Sequence, residues 1–209
     1  MTTVSNAFYF MSGLEPSRTY IETGCYEGRN LAKVIASGKY KEIHTIELSP
    51  RWYEHNKKQF EHFENVSIHL GDSTEVLGEM DYSSSVTIFL DAHYSGPGTA
   101  HGKLETPLLE ELKILAESKL TNDSVIIIDD IRMLGYRGLM PGNGVNYFAY
   151  EADWHDITLE QIKNIMGLEY SYLTNESSWL TQGPEDQLLI FKTSAERATA
   201  MHEIGELLR

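Results

Sequence analysis

Residues 21–28 read Ile21-Glu22-Thr23-Gly24-Cys25-Tyr26-Glu27-Gly28, an apolar segment that ends in a carboxylate and runs into a turn with two glycines. Glycine in such a turn lets the backbone approach a ligand closely. The helix that we expect next would offer free N–H groups at its first turn. The stretch therefore predicts a strand, a turn and a helix that meet at a ligand-binding edge.

Four further apolar runs also end in acidic residues. They are His44-Thr45-Ile46-Glu47, Ile68-His69-Leu70-Gly71-Asp72, Ile88-Phe89-Leu90-Asp91 and Ile126-Ile127-Ile128-Asp129-Asp130. If the five runs are parallel strands of one sheet, their acids emerge along the same edge, which is where open α/β sheets bind ligands. The pattern predicts a ligand-binding α/β protein.

Helix signals lie between these strands. Ser49 followed by Pro50 is typical of a helix start, and Gly38 is typical of a helix end. Strands and helices in alternation predict a mostly parallel sheet with helices on both faces. Two later runs, 170–173 and 187–192, have no helix between them, so they predict a C-terminal antiparallel hairpin at one end of the sheet.

The chain of 209 residues predicts a single domain, 1–209, with a helical N-terminal segment at 1–18. Two stretches without a clean period, 92–104 and 131–156, predict loops, the second with short helical pieces. Long loops in a compact domain usually carry function. We therefore expect both loops to lie beside the ligand site.

The composition of the chain indicates which kinds of partner it binds and in which compartment it works. The 17 basic and 31 acidic residues give a formal net charge of −14, which would repel a nucleic-acid backbone. A single cysteine, Cys25, and no secretory leader pattern predict a cytoplasmic protein. No apolar run is long enough to cross a membrane. The C-terminal helix is equally consistent with capping the sheet and with pairing two subunits of a homodimer.

The first turn argues against a nicotinamide dinucleotide site. Such a site needs the pattern G-x-G-x-x-G, whereas Gly24 and Gly28 are separated by three residues and no third glycine follows. The strand-ending acids instead resemble those of class I S-adenosylmethionine-dependent methyltransferases, in which an acid-plus-glycine motif after strand one is followed by an acid at the end of strand two. The resemblance covers residues 20–192 and implies a Rossmann-like, seven-stranded sheet.

The resemblance also implies where the cofactor would bind. Glu22 and Gly24 would lie beside its methionine part, with Glu22 near the ammonium group. Glu47 would accept both ribose hydroxyls, and Asp72, with Ser73, would meet the adenine amino group. The remaining members of the predicted cofactor site are Tyr26, Gly28, Leu48 and Asp91. Cys25 and Glu27 depart from the family pattern, in which a third small residue is common.

A second group of acids is expected on the acceptor side. Asp91, Asp129 and Asp130 end two neighbouring strands, and three close carboxylates would repel one another unless a cation neutralised them. Mg²⁺ is the natural partner because it prefers oxygen ligands. The arrangement resembles the metal-dependent O-methyltransferases of the catechol and macrocin types. By that resemblance His93 occupies the position of a proposed base, although the family residue there is acidic.

The sequence thus predicts transfer of a methyl group to a hydroxyl of a small polar acceptor, such as a sugar or natural product, with Mg²⁺ assistance, and with His93 and Asp91 as catalytic groups. Loops 92–104 and 131–156 would touch the acceptor. Three alternatives stay open: a metal-independent carboxyl or N-methyltransferase, a hydroxylase-like relative, and a non-catalytic binding module. Weaker acceptor candidates lie in or beside the loops: Tyr94, His101, Arg132, Tyr136, Asp153 and His155.

Overall fold

The computed structural model describes residues 3–140, 149–176 and 179–207. Residues 141–148 of the predicted second loop, 1–2 of the N-terminal segment and 208 of the expected C-terminal helix lie outside the described residues. In chain order the elements are α1 (Asn6–Ser12), β1 (Thr19–Thr23), α2 (Arg29–Ser37), β2 (Glu42–Glu47), α3 (Pro50–Gln59), β3 (Val66–Leu70), α4 (Ser73–Gly78), β4 (Val86–Leu90), α5 (Leu108–Glu117), β5 (Val125–Asp129), β6 (Arg137–Met140), β7 (Tyr150–Asp153), α6 (Leu159–Met166), β8 (Ser171–Thr174), β9 (Gln187–Phe191) and α7 (Ala195–Leu207).

The main sheet has the strand order β3-β2-β1-β4-β5-β9-β8. The first five strands are parallel, and β9 is antiparallel to both β5 and β8. The predicted fold class is therefore confirmed, including the antiparallel pair at one end. The carboxyl ends of the parallel strands meet at a single edge, because Thr23 of β1 pairs with Ile46 of β2 and with Leu90 of β4.

Helices cover both faces of the sheet. One core contains Ile21, Ile88 and Leu112, on the face that α4, α5 and α6 cover. The other contains Phe8 of α1 and Phe89 of β4, together with side chains from α2 and α7. Successive strand residues point to opposite faces, so each central strand contributes to both cores. This explains why the central strands read as almost continuous apolar runs. Among the described residues, none of the helices combines the length and apolar character needed to span a lipid bilayer.

Local helix signals act as the sequence predicts. Ser49 caps α3 by accepting a hydrogen bond from the Trp52 N–H, and Pro50 occupies the first turn. Gly38 ends α2 in a left-handed conformation. α3 ends at Gln59, because Phe60 leaves helical geometry.

The stretch 131–156 is more regular than expected. A 3₁₀ turn at Ile131–Met133 is followed by β6, which pairs with β7 in an antiparallel hairpin separate from the main sheet. The 3₁₀ turn agrees with the short helical pieces that the sequence predicts, whereas the sequence did not predict the hairpin. Each strand has four residues, and Ala152 is the one buried side chain among them. A pair of strands this short and exposed has little alternation of apolar and polar residues, so the sequence pattern does not predict it.

Candidate active site

A cavity of about 590 Å³ opens at the carboxyl edge of the parallel strands. Ten of the residues that the sequence predicts for the site line it: Gly24, Tyr26, Glu47, Leu48, Asp72, Ser73, Asp91, His93, Asp129 and Asp130. Glu22 and Gly28 are not part of its lining. The structure therefore brings most of the predicted cofactor and acceptor residues around one space, as expected for parallel strands that end together.

The turn after β1 is held by close backbone contacts. Gly24 has φ 79°, and a Cβ at this position would lie 2.4 Å from the Asp91 carbonyl oxygen. Its N–H donates to Ile46 O at 2.9 Å. Tyr26 is also left-handed, with φ 47°, and its ring packs on Trp52 with centroids 4.6 Å apart. The turn thus lets main chain, rather than side chains, form this part of the cavity wall.

Gly28 supports the turn from outside the cavity. It precedes α2 with φ 73°, and a Cβ there would lie 2.2 Å from Asn56 Oδ1. Asn56 is fully buried, and its Nδ2 donates to Tyr26 O at 2.6 Å. Gly28 is therefore required for packing of the turn against α3, and its predicted cofactor contact stays a prediction.

Glu47 is the buried carboxylate in the cofactor half of the cavity. Its Oε2 accepts from the Tyr26 N–H and its Oε1 from the Ser49 N–H, both at 2.7 Å. Burial raises the pKa of Glu47, and the backbone N–H donors, foremost that of Ser49, oppose the rise. The N–H groups of Cys25 and Leu48 also act on this carboxylate, so ligand hydroxyls would share its remaining lone pairs with them. The geometry suits the paired hydroxyls of a ribose.

Glu22 lies beneath the turn. It is 1% exposed, and its carboxylate accepts from Asn30 Nδ2 at 2.6 Å and from Thr45 Oγ1 at 2.9 Å. Burial raises the pKa of Glu22 to about 7, despite these two hydrogen bonds. The acid therefore ties β1 to α2 and β2, and its predicted contact with the cofactor's ammonium group stays a prediction.

Asp72 and Ser73 lie where β3 passes into α4. Asp72 Oδ1 accepts from the Thr74 N–H at 3.0 Å and from Thr74 Oγ1 at 2.6 Å, which caps the helix. Ser73 lies near Glu111, an acid that the sequence pattern did not single out, and the Ser73 hydroxyl acts to lower the pKa of Glu111. Glu111 is 1% exposed, and burial raises its pKa to about 7. The available signal was an acid on the apolar stripe of α5, between Leu108 and Leu115.

On the acceptor side, His93 lies between two carboxylates. Its Nε2 is 3.0 Å from Asp130 Oδ2 and its Nδ1 is 3.4 Å from Asp91 Oδ1, while its side chain is 5% exposed. The Trp154 ring packs edge-on against the imidazole, with centroids 5.3 Å apart. We call these three residues, Asp91, His93 and Asp130, the acid–histidine cluster.

The two carboxylates of the cluster differ in proton affinity. Burial, followed by the charges of Asp129 and Asp130, raises the pKa of Asp91 well above its ordinary value. Burial acts to raise the pKa of Asp130 too, but the hydrogen bond from His93 and the charge of Arg132 outweigh it, so the pKa is lowered. Asp130 is thus the carboxylate that stays ionised, and Asp91 is the one that holds a proton more readily.

Asp129 lies beside this cluster, close enough for its charge to raise the pKa of Asp91, but its side chain has a different hydrogen-bond partner. Its Oδ1 accepts from Gln187 Nε2 at 3.0 Å, and burial, with the charge of Asp130, raises its pKa to about 6. Asp130, the next residue, has φ 55°, which directs the two neighbouring side chains to different partners. The sequence predicted Asp91, Asp129 and Asp130 as metal ligands. The donor atoms that lie within 4.8 Å of one another belong instead to Asp91, His93 and Asp130.

Loop 92–104 lines one side of the cavity. Trp52 Nε1 donates to Gly98 O at 2.7 Å, and a Cβ on Gly102 would lie 3.3 Å from the Leu48 side chain. Tyr94 lines the cavity and packs against Tyr150 of β7, with ring centroids 6.0 Å apart. The predicted position of this loop beside the site is therefore seen in the structure.

The six weaker acceptor candidates fall into two groups, those that line the cavity and those that do not. Tyr94 and Arg132 line the cavity, whereas His101, Tyr136, Asp153 and His155 are not part of its lining. Arg132 forms ion pairs with Asp130 and Asp186. Asp153 pairs with His155 and with Arg137 on the exposed hairpin. Trp52 packs against Tyr26 and also anchors loop 92–104 through its indole N–H.

The sequence matches no protein-family model and no curated protein. Solved structures do match its fold. The plantazolicin methyltransferase BamL, in complex with a triazolic desmethylPZN analogue and S-adenosylhomocysteine (SAH), aligns with a TM-score of 0.55 and 14% identity over 90% of this chain and 82% of that one. SMU.1697c of Streptococcus mutans, provisionally assigned as a methyltransferase and also bound to SAH, aligns with a TM-score of 0.54 and 14% identity over 89% and 95%.

Spermidine synthase of Thermotoga maritima covers 91% of this chain at 11% identity, but the chain spans only 56% of that enzyme's length. Its TM-score of 0.47 is too low to argue from. At such identities the likenesses show the fold alone: a Rossmann-like α/β architecture that methyltransferases share. A shared fold does not define the reaction, which depends on the side chains of the site.

Proposed function

We propose that this protein transfers a methyl group from S-adenosylmethionine to a hydroxyl of a small polar acceptor. One observation carries the proposal. A single cavity is lined by a ribose-type carboxylate, Glu47, beside a glycine turn, and by the acid–histidine cluster. The first of these suits a nucleoside cofactor, and the second suits removal of a proton from an acceptor.

The cofactor half fits the group that it would hold. Gly24 contributes main chain to the cavity wall, Glu47 offers two oxygens for hydroxyls, and Asp72 offers a carboxylate for an amino group. Leu48 adds an apolar wall. When bound, S-adenosylmethionine supplies a methyl group activated by a positively charged sulfur.

The acid–histidine cluster can take up a proton. A protonated imidazole at His93 would donate to both carboxylates, and a neutral one would donate to one of them. In the neutral state Asp91 is the carboxyl that retains a proton, because its pKa is raised. An acceptor hydroxyl at the second oxygen of Asp91 would give its proton to that oxygen while Asp91 passes its own proton to His93 Nδ1, so the cluster ends as an imidazolium that is hydrogen-bonded to both acids.

Magnesium assistance is a second arrangement of the same three groups. Their donor atoms lie close enough to share a cation. Each ring nitrogen of His93 faces a carboxylate, so a cation would first require the imidazole to leave one of them. A donor set of two carboxylates and an imidazole also suits Mn²⁺ or Zn²⁺ better than Mg²⁺. A bound cation would lower the pKa of an acceptor hydroxyl.

The test is calorimetry with SAH, followed by methyl transfer from labelled S-adenosylmethionine to a panel of hydroxyl, amine and carboxylate acceptors. We expect SAH to bind wild type, and Glu47→Gln to bind it roughly tenfold or more weakly, since one ribose hydroxyl would lose a charged acceptor. Thermal melts identify any loss of folding in the variant. Absence of SAH binding by wild type would refute the cofactor assignment.

The panel separates the remaining alternatives. Turnover of amines or carboxylates alone would replace the O-methyl proposal with N- or carboxyl methylation. SAH binding without turnover on any acceptor class would favour the hydroxylase-like relative or the binding module. Repeating the assay after chelation, and again with added Mg²⁺ or Mn²⁺, distinguishes the two arrangements of the acid–histidine cluster.

A further inference from the structure

A chain of buried hydrogen bonds leads to Asp129 from behind the cavity wall. Asn175 Nδ2 donates to Thr181 Oγ1 at 2.5 Å, and Thr181 Oγ1 donates to Gln187 Oε1 at 2.9 Å. Gln187 Nε2 then donates to Asp129 Oδ1 at 3.0 Å. Asn175, Thr181 and Gln187 are completely buried, whereas Asp129 lines the cavity. The proposed proton-transfer cluster uses none of these four residues.

The chain has a fixed direction. The Thr181 hydroxyl accepts from Asn175 and gives its single proton to Gln187 Oε1, so the NH₂ group of Gln187 must face Asp129. A carboxylate can only accept, which makes it the natural end of such a series of donors. Gln187 thereby holds Asp129 through Oδ1, and the backbone N–H of Asp130 also bonds to the carboxylate. Two hydrogen bonds leave lone pairs of the carboxylate for a ligand in the cavity that Asp129 lines.

The chain is also anchored at both ends. Gln187 lies directly opposite Asp129 across the antiparallel pair of β9 and β5. Thr181 is bridged to Val4, and the Gln182 N–H donates to Thr3 O at 2.9 Å. The N-terminal segment therefore fixes the residues that orient Gln187. Asn175 Oδ1 has no hydrogen-bond partner among the described residues, but the three successive bonds from Asn175 Nδ2 to Asp129 define one arrangement of the side chains that they join.

We infer that Gln187 is a positioning residue, which fixes Asp129 through Oδ1 so that the Asp129 carboxylate binds a hydroxyl of the acceptor beside the acid–histidine cluster. The role of Asp129 toward the acceptor rests on the proposed methyl transfer. The positioning of Asp129 by Gln187 does not depend on that proposed activity. The three strand-ending acids of the acceptor side therefore have two roles: Asp91 and Asp130 belong to the cluster with His93, and Asp129 orients the acceptor.

Two variants test this role. Gln187→Met keeps the length of the side chain but removes both polar groups. Thr181→Val keeps Gln187 but removes the hydroxyl that sets the direction of its amide. Gln182→Met is the matched control, because this glutamine is exposed and only its main chain takes part in the contacts. Crystal structures with SAH show where the Asp129 carboxylate lies in each protein.

We expect the Asp129 carboxylate to leave its position in both test variants and to keep it in Gln182→Met. SAH affinity should stay within roughly twofold of wild type, because the cofactor half is untouched. With the acceptor that the panel identifies, KM should rise roughly tenfold or more, with a smaller change in kcat, since a hydrogen bond to the bound acceptor is weakened.

A double-mutant cycle separates positioning from general stabilisation. If Gln187 acts through Asp129, adding Gln187→Met to Asp129→Ala should not change KM further. An equal effect in both backgrounds, or an unmoved Asp129 in the variants, would overturn the inference. If Gln187→Met does not fold, the position of Asp129 and the KM of Thr181→Val test the inference. If no SAH binds, the proposed function fails, while the position of Asp129 in the crystals still tests its dependence on Gln187.

Discussion

The backbone of Gly24 lies directly against the backbone of Asp91, and a Cβ on Gly24 would lie 2.4 Å from Asp91 O and 2.9 Å from its carbonyl carbon. Gly24 belongs to the turn after β1, and Asp91 is the first residue after β4. Their contact joins the cofactor half of the cavity to the acid–histidine cluster. The separation of the two halves is therefore fixed by main chain.

Gly24→Ala is expected to lower stability far more than Gly38→Ala and to abolish SAH binding. Both glycines are left-handed, with φ 79° and 63°, but a Cβ on Gly38 meets nothing within 4 Å. Gly38→Ala should lose only about 1–2 kcal/mol from backbone strain. The Gly24 variant adds a clash that strands β1 and β4 must separate to relieve. Urea unfolding and calorimetry with SAH measure both effects, and equal losses in the two variants would argue against the contact.

The sequence predicted which strands end in acids, but not which acids reach the cavity. Glu22 and Glu47 both follow apolar runs, yet β1 extends to Thr23 whereas β2 ends at Glu47. Glu22 therefore pairs beside Thr45 within the sheet. That difference of one residue depends on the register between strands, which a pattern within each strand cannot contain.

The acceptor side shows the same limit. The sequence predicted that Asp91, Asp129 and Asp130 would meet, and they do line one cavity. Their grouping depends on the left-handed φ of Asp130 and on Gln187, which lies 58 residues beyond Asp129 along the chain. Partners so distant in sequence are brought together by strand pairing, and neither composition nor periodicity indicates them.

Glu22→Gln is expected to change how stability depends on pH. The folded pKa of Glu22 is about 7, above its ordinary 4.5, so between these values the folded protein holds a proton that the unfolded chain releases. Raising the pH through this window therefore lowers the free energy of unfolding, by up to roughly 3 kcal/mol. In the variant, Oε1 can accept from Asn30 and Nε2 can donate to Thr45, with no proton to lose.

The variant should thus match wild type near pH 4.5 and exceed its stability near pH 8. Urea unfolding across that range gives the difference in free energy of unfolding between the two proteins. Glu111, whose pKa is also raised to about 7, is present in both, so its titration cancels in that difference. SAH affinity should change little, because Glu22 is not part of the cavity lining. A loss of tenfold or more would instead support contact with the cofactor's ammonium group.

His93→Gln is expected to lower kcat for methyl transfer by roughly 10²–10⁴, the range typical of a lost general base. SAH affinity should remain near that of wild type, since His93 lies on the acceptor side. If the imidazole is the base, chelation of divalent cations should leave wild-type turnover unchanged. Loss of turnover on chelation, restored by Mn²⁺ and abolished again by Asp130→Asn, would show that a cation occupies the cluster.

Trp52→Phe is expected to loosen loop 92–104, whereas Trp154→Phe should not. Trp52 Nε1 donates to Gly98 O at 2.7 Å, and this bond ties the loop to α3. Trp154 is also buried, but its Nε1 has no hydrogen-bond partner among the described residues, so replacing its indole breaks no such bond. The Trp52 variant should lose about 1 kcal/mol with its hydrogen bond.

Limited proteolysis should then cleave near Gly98 several times faster than in wild type, since local opening governs cleavage. Added SAH should slow that cleavage, because the loop lines the cavity that would hold it. Equal protection of the loop in both tryptophan variants would show that contacts other than the indole N–H fix its position.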